Sequence, residues 1–292
     1  MRAQGPISSA LLDFLKAQKE TYDAFLFFTY LYATSYFGLP IVREKAYLAP
    51  LAHDEWPIYL SMWDRFFAQV PRFIFNTESE RAFLRQRFAP LALAGEVIAV
   101  GIEQPAQVVP ERFREKYGLS DPFLLYVGRI DASKGCAEMF EFFLRRRALD
   151  AGPGTKLVLI GTEILPVPFH DDIINLGFVP EAEKWEAMAA CDWLLMPSPH
   201  ESLSMVLLET WSVERPAIVN GACDVLRTHC EEANAGLWYE TEEEWNAILD
   251  VVTPEEKTQL GRRGMSYVQS RYTWERVERD YVNLLAPKPA RA

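Results

Sequence analysis

Paired cysteine motifs are absent from this sequence. No two of its four cysteines are separated by only two residues, and the cluster of Cys223, His229 and Cys230 lacks zinc-ligand spacing and a matching second pair. Thiols in cores or on helix faces are therefore expected rather than a metal site. Such cysteine usage is typical of a reducing compartment, which predicts a cytoplasmic location.

Long hydrophobic runs are missing as well. The first residues contain one arginine and no apolar run behind it, so no signal peptide is predicted. The apolar run at residues 25–32 is far shorter than the stretch of about 20 residues that a membrane-spanning helix needs. Any membrane contact is expected to be peripheral.

An excess of positive charge is lacking too. The net charge is −11, and the whole acidic excess lies after residue 117, because residues 1–117 are electrically neutral. An acidic protein repels phosphate backbones, which disfavours a nucleic-acid partner. The neutral first part is the expected side for an acidic acceptor or a membrane surface, although it contains no polybasic cluster.

What the sequence does contain is a regular alternation of apolar runs and helical patterns. Runs such as residues 24–30 and 123–127 predict strands buried on both faces, with helices between them. This alternation predicts an α/β fold with parallel sheets covered by helices. It restarts near residue 118, after a proline-containing linker at residues 103–109, so two such domains are expected. The predicted boundaries are residues 1–108 for the first domain, residues 109–270 for the second, and residues 271–292 for a terminal helix, packed back on the first domain, and a tail.

The loop at residues 128–135 is the first candidate site, because ligands of parallel sheets bind at the carboxyl ends of the strands. A predicted strand runs into Gly128, and a helix opens near Lys134, so backbone N–H groups there favour an anion. Arg129 would grip phosphate oxygens bidentately, and Lys134 would add a mobile positive charge. Both would neutralise a pyrophosphate group. The alternative is a solvated turn with two surface cations.

The loop at residues 197–204 is the second candidate, and it leads into a helix that carries Glu209. Glu201 lies just before that helix, and Ser202 or Ser204 is predicted to cap it. Carboxylates accept hydrogen bonds from vicinal hydroxyls, as acidic residues do for ribose in dinucleotide-binding folds. The two glutamates would thus hold two sugar rings. The alternative is a capping glutamate and a surface glutamate.

These loops resemble those of the family-4 retaining glycosyltransferases, whose GT-B fold has two Rossmann-like domains facing a cleft. The resemblance runs over roughly residues 123–240, and residues 9–102 also resemble this family. The matching stretches of the second half are residues 126–135, 176–180, 191–209 and 215–236.

The resemblance implies a nucleotide-sugar donor in the second domain. Arg129 and Lys134 would bind the donor pyrophosphate. Glu209 would hold the ribose hydroxyls, and Glu201 would contact the transferred sugar. The other donor-binding positions implied by the match are Gly128, Phe178, Val179, His200, Ser202, Leu203, Ser204 and Met205.

Two departures from the family pattern alter the expectations. Family members commonly have glycine where Ser202 and Ser204 stand, so the sugar pocket is expected to differ. His53 stands where the family has a histidine near the reacting sugar, but no glycine-rich loop precedes Ser9. The first domain is therefore expected to be incomplete, and an uncapped sheet edge predicts a homodimer or a partner chain that completes it.

The predicted activity is retaining transfer of a sugar from a nucleoside diphosphate to an unidentified glycan, lipid or small-molecule acceptor. No cofactor and no metal is expected, because the cations would stabilise the leaving group and no D-x-D motif occurs. One alternative is a non-catalytic nucleotide-sugar-binding subunit or half of a split enzyme. Another is a phosphorylase or an epimerase of the same architecture.

Overall fold

Parallel β-sheets with helices between the strands form both parts of the protein. The structure, a computed structural model, describes residue 5, residues 7–149 and residues 154–286. Two compact units are distinguished, one formed by residues 1–100 and 275–292 and the other by residues 101–274. The predicted tail after the last helix lies outside the described residues. None of the helices in the described ranges is long and apolar enough to cross a membrane.

The first unit contains a four-stranded parallel sheet of order β1-β2-β3-β4. Its strands are β1 (Phe25–Phe28), β2 (Ala46–Ala49), β3 (Phe73–Phe75) and β4 (Gly95–Val97). Its helices are α1 (Ser9–Gln18), α2 (Ala33–Gly38), α3 (Met62–Phe67), α4 (Glu78–Arg87) and the terminal α12 (Trp274–Leu285), with short 3-10 helices at Leu39–Lys45 and Trp56–Tyr59.

The two faces of this sheet are covered differently. On one face an aromatic core includes Trp63 and Phe67, and the Phe67 ring stacks on Phe88 with centroids 4.3 Å apart. On the other face α12 contributes Val277, which packs against Tyr47 in a separate apolar cluster. Both faces are thus buried, as the continuous apolar pattern of β2 and β3 requires.

The second unit contains a six-stranded parallel sheet of order β10-β9-β8-β5-β6-β7. Its strands are β5 (Phe123–Val127), β6 (Lys156–Ile160), β7 (Ile173–Asn175), β8 (Trp193–Met196), β9 (Ala217–Asn220) and β10 (Gly236–Tyr239). Its helices are α5 (Pro110–Tyr117), α6 (Cys136–Ala148), α7 (Glu181–Ala190), α8 (Met205–Ser212), α9 (Asp224–Ala233), α10 (Glu242–Val251) and α11 (Pro254–Arg271), with a 3-10 helix at Ala132–Lys134. The predicted α/β class with two parallel sheets is confirmed.

Helix α5 was not anticipated from the sequence. It has Pro110 at its first position and ends at Gly118, whose φ of 62° is left-handed. Phe113 is its buried residue, so the helix offers only a weak apolar stripe in the sequence. Its place in the fold comes from packing on α7, where Lys116 lies 2.8 Å from the Glu183 carboxylate.

The strand order identifies the edge of the second sheet at which a ligand-binding crevice is expected. β6 and β7 lie on one side of β5, whereas β8, β9 and β10 lie on the other. Such a reversal leaves a crevice outside the carboxyl ends of the two central strands. The loops that follow β5 and β8 therefore flank the same crevice.

Candidate functional site

Two glycines let the ends of β5 and β6 approach each other closely. Gly128 has a φ of 153°, and its N–H donates to the Ile160 carbonyl at 2.9 Å. Gly161 has a φ of 143°, and a Cβ at this position would lie 1.8 Å from the Gly128 carbonyl oxygen. Neither backbone conformation suits a residue with a side chain. The loop after β5 therefore begins at Gly128, where the backbone of β5 lies directly against the end of β6.

The backbone of that loop is held by its own polar side chains. The Asp131 carboxylate accepts the Ser133 N–H at 2.8 Å, which holds the pKa of Asp131 below its usual value. A second Asp131 oxygen lies 3.2 Å from Arg129 Nε, and the Tyr126 hydroxyl donates to the Arg129 carbonyl at 2.7 Å. The Arg129 side chain remains 55% exposed, so its guanidinium is open to a ligand.

The loops after β5 and β8 pack directly on each other. Gly135, with a φ of 74°, lies so close to Pro197 that a Cβ would be 2.1 Å from the Pro197 carbonyl oxygen. The same carbonyl accepts a hydrogen bond from the Asn220 amide at the end of β9, at 3.0 Å. The contact fixes the start of α6 against the second loop. Asn220 was not predicted as a site residue, since its role depends on a strand that is distant in the sequence.

Lys134 and Glu201 form an ion pair across the crevice. Their Nζ and Oε1 atoms are 2.8 Å apart, and the side chains are 32% and 16% exposed. Ser198 orients the segment before Glu201 by donating to the His200 carbonyl at 2.9 Å. The structure thus joins the two residues that the sequence placed on separate loops, and each side chain keeps a surface toward solvent.

The start of α8 differs from the predicted cap. Ser204 precedes the helix with a φ of 65°, and its side chain makes no capping hydrogen bond. A capping side chain requires an extended backbone, which Ser204 does not have. Its hydroxyl oxygen is buried without a hydrogen-bond partner among the described residues. The exposure of the neighbouring residues differs: Ser202 is half-buried, Leu203 is 4% exposed, and Met205 is 45% exposed.

Glu209 is a buried acid rather than the surface glutamate of the alternative interpretation. It is 8% exposed, and both of its oxygens bond to Lys184 Nζ, at 3.2 and 3.1 Å. Burial raises the pKa of Glu209, and the Lys184 charge opposes that shift. Lys184 lies on α7 and was missed, because no local pattern links it to a glutamate 25 residues later.

The segment after β7 borders the same edge of the sheet. The Gly161 N–H donates to the Gly177 carbonyl at 2.8 Å, and Gly177 has a φ of 64°. Phe178 is 89% exposed, whereas Val179 is 7% exposed. The aromatic ring is therefore available for stacking at the β6–β7 side of the crevice.

An open cavity of about 660 Å³ adjoins the two loops on the other side. Gly135 and Pro199 form one wall of this cavity. The remaining walls include Arg227, Tyr239 and Glu240, near the ends of β9 and β10. Polar and aromatic groups thus line a space beside the two packed loops.

His53 belongs to the first unit, in the loop after β2. Its Nε2 lies 2.8 Å from the Glu55 carboxylate. The preceding Ala52 donates its N–H to the Glu80 carboxylate at 2.7 Å, and Asn76, after β3, donates to the same carboxylate at 2.6 Å. Glu80 therefore ties two strand-end loops together. Burial raises its pKa to about 7.

Within the described ranges, no three or more histidine, cysteine, aspartate or glutamate side chains are grouped so that they could hold a metal ion. The Cys223, His229 and Cys230 side chains are all buried, in keeping with thiols that belong to cores and helix faces.

Comparison with known proteins finds relatives that are named glycosyltransferases. The chain is 34% identical over 119 residues to the alpha-D-kanosaminyltransferase of Streptomyces kanamyceticus, a match that covers 37% of this chain and 31% of the relative. It is 30% identical over 135 residues to the 2-deoxystreptamine glucosyltransferase of the same organism, covering 42% and 34% of the two chains. The matches thus span about a third of the length of these curated relatives.

Solved structures share the fold over nearly the whole chain. Sucrose-phosphate synthase from Thermosynechococcus elongatus has a TM-score of 0.74 at 16% identity, with 97% of this chain and 80% of that chain covered. HepE from Anabaena, in complex with UDP-glucose, has a TM-score of 0.74 at 14% identity, with 94% and 81% covered. At such low identity the likeness shows the fold, which is GT-B.

The family model described as glycosyl transferases group 1 matches residues 110–259. The matched region covers more than half of the 292 residues and includes both loops of the crevice, the Lys134–Glu201 pair and Glu209. On this match, together with the parallel-sheet fold, the chain belongs to the glycosyl transferases group 1 family.

Proposed function

We propose that this protein transfers a sugar from a nucleoside diphosphate sugar to an acceptor, with retention of anomeric configuration and without a metal ion. The observation that carries the proposal is the Lys134–Glu201 pair at the reversal of strand order, with Arg129 exposed beside it. Relatives named as glycosyltransferases and a fold neighbour bound to UDP-glucose support the same class of substrate.

The nucleoside end of the donor is assigned to the buried acid of α8. Glu209 would accept hydrogen bonds from the ribose hydroxyls, as acidic residues do in other nucleotide-binding sheets. Lys184 Nζ bonds to both carboxylate oxygens and so orients Glu209, and its charge opposes the rise in the pKa of Glu209 that burial causes. The exposed Phe178 ring would stack on the base from the β6–β7 side.

The diphosphate is assigned to the two loops that pack on each other. Arg129 would bind phosphate oxygens bidentately, and the N–H groups at the start of α8 would face the same anion. Lys134 is paired with Glu201, so a bound donor would share both charges. Lys134 would then stabilise the diphosphate, and Glu201 would accept hydrogen bonds from the transferred sugar.

The chemistry follows from where negative charge develops. The bond between the anomeric carbon and the diphosphate oxygen breaks, and Arg129 and Lys134 stabilise the charge that the oxygen acquires. The acceptor oxygen attacks the anomeric carbon from the face that the diphosphate leaves, and it passes its proton to the departing diphosphate. Because attack and departure occur on the same face, the anomeric configuration is retained. His53 is proposed to act near the reacting sugar, as the family resemblance implies.

The open edge of the first sheet supports a further part of the proposal. Strand β1 lies at that edge and consists of Phe25–Phe28, with Phe28 50% exposed. Apolar edge strands readily pair with another strand. We propose that a second copy or a partner chain pairs with β1, and that any contact with a membrane is peripheral. Light scattering of the purified protein tests the association.

A thermal-shift screen tests the donor site. The protein is melted with UDP, GDP, ADP and their common sugars, and a ligand at 100 times its Kd should stabilise the folded state by about 2.7 kcal/mol. The Glu209→Ala variant should lose the shift. The Glu243→Ala variant, altered on the exposed first turn of α10, is the matched control and should keep it.

Turnover is measured on the same samples by the release of free nucleotide from the stabilising donor. Slow hydrolysis or transfer that is lost in Lys134→Ala supports catalysis by this protein. Full activity of Lys134→Ala would refute the role of that lysine. Binding without any turnover would support the non-catalytic alternative instead.

A further inference from the structure

His229 is a buried residue of α9 whose two ring nitrogens both have partners. The residue is 3% exposed. Its Nε2 lies 3.0 Å from the carbonyl oxygen of Leu203, in the loop after β8. Its Nδ1 lies 3.0 Å from the hydroxyl of Tyr267, on α11. The imidazole therefore connects two helices behind the crevice to the loop that forms its wall.

The partners determine the tautomer of the ring. A carbonyl oxygen only accepts hydrogen bonds, so Nε2 must carry the proton that is donated to Leu203. Burial lowers the pKa of His229 to about 4, so the ring is neutral at pH 7 and its Nδ1 accepts from the Tyr267 hydroxyl. That hydroxyl has one proton, which it shares between Nδ1 and the Glu232 carboxylate at 3.2 Å, and it can accept a hydrogen bond from the Tyr272 hydroxyl at 3.3 Å.

The hydrogen bond from His229 to the Leu203 carbonyl also sets the direction of the next N–H group, that of Ser204. The peptide unit between Leu203 and Ser204 is planar and trans, so its C=O and N–H point in opposite directions. With the carbonyl held toward His229, the Ser204 N–H is directed away from α9. Ser204 has a φ of 65°, a conformation that costs about 1 kcal/mol or more for a residue with a side chain. Such a strained unit needs an outside contact to keep its orientation.

We propose that His229 is a positioning residue for the donor site, which holds the Leu203 carbonyl and thereby aims the Ser204 N–H at the donor diphosphate. The assignment of the diphosphate to this loop rests on the proposed function. The orientation of the loop by His229 stands on the geometry alone.

A matched pair of substitutions separates the two bonds of the ring. In His229→Gln the side-chain amide reaches the position of Nε2, so it can still donate to Leu203. In His229→Asn the amide reaches only the position of Nδ1, so the bond to Leu203 is lost and a bond to Tyr267 is kept. His170→Asn, in the loop that leads into β7, serves as the control for the substitution itself.

Two measurements are made on the full chain. One is the Kd for whichever of UDP, GDP and ADP stabilises the protein most, and the other is hydrogen exchange of the peptide that covers residues 203–208. His229→Asn should weaken binding of that nucleotide by about five- to tenfold, because one buried hydrogen bond contributes about 1 kcal/mol, and should speed exchange in this peptide. His229→Gln and His170→Asn should stay within about twofold of the unaltered protein in both measurements.

Equal behaviour of His229→Asn and His229→Gln would overturn the inference, and so would faster exchange spread over α9 and α11, since either result indicates a purely structural role. If the unaltered protein binds none of UDP, GDP and ADP, the donor assignment fails, but hydrogen exchange still decides whether His229 orders the loop. If His229→Asn does not fold, Tyr267→Phe replaces it. Removal of that one hydroxyl frees Nδ1 and should also speed exchange at residues 203–208, and unchanged exchange there would refute the inference.

Discussion

Glu80 makes the stability of the first unit depend on pH in an unusual direction. The residue is 2% exposed, and its carboxylate accepts backbone N–H groups of Ala52 and Asn76 from two loops. Burial penalises the charged form more than these bonds favour it, so the pKa of Glu80 rises from 4.5 to about 7. We therefore expect Glu80→Gln to change how stability varies with pH, as well as its absolute value.

The sign follows from proton binding in the two states. Between pH 4.5 and pH 7 the folded state holds a proton on Glu80 that the unfolded state has lost. The contribution of Glu80 is thus fully present below pH 4.5 and is lost as the pH rises through 7. A pKa difference of 2.5 between the states corresponds to about 3 kcal/mol, at about 1.4 kcal/mol for each pH unit.

The assay is urea unfolding of the unaltered protein and of Glu80→Gln at pH 4.5, 6 and 8 and constant ionic strength. The difference in unfolding free energy between the two should fall by about 3 kcal/mol from the lowest to the highest pH. Glu78→Gln, which removes one acidic charge from the exposed side of the same helix, provides the baseline. A difference that stays constant across this pH range would refute the reasoning.

Three further predictions concern the second unit. Lys184→Met should destabilise it by about 3 kcal/mol in urea unfolding, because the buried Glu209 carboxylate loses its cation. Adding Glu209→Gln should restore most of the loss. A double variant whose loss of stability equals the sum of the two single losses would contradict the pairing. Gly161→Ala should cost about 2 kcal/mol or more and lower the Tm, because its Cβ would meet the Gly128 carbonyl at 1.8 Å; an unchanged Tm would argue against that close approach. The pH dependence of stability that His229 contributes has the opposite sign to that of Glu80, because burial lowers the pKa of His229 from 6.5 to about 4 in the folded state. The stabilisation is therefore present above pH 6.5, and about 3 kcal/mol of it is lost on acidification to pH 4. Urea unfolding of His229→Gln should show a smaller loss over that range, and an equal loss would exclude His229 as its source.

Much of the fold could be predicted from local patterns. The bounds of β6, β8 and β10 follow directly from short apolar runs between turn residues, and α7 and α8 follow from helical runs that begin after proline or serine. Parallel sheets then require the loops after β5 and β8 to lie at one edge. Helix α5 was missed, because a charged segment with Phe113 as its buried residue has little periodic signal.

The sequence by itself determined the order of strands and helices and the two loops where a donor would bind, since periodicity and turn chemistry act between near neighbours. Only the tertiary structure decided which side chains meet: Lys134 with Glu201 across 67 positions, Glu209 with Lys184, and the Leu203 carbonyl with His229. It also decided the left-handed conformation of Ser204, which a capping pattern did not predict. These features depend on how distant helices pack against the sheet, because burial and pairing arise from contacts that no local stretch of the chain contains.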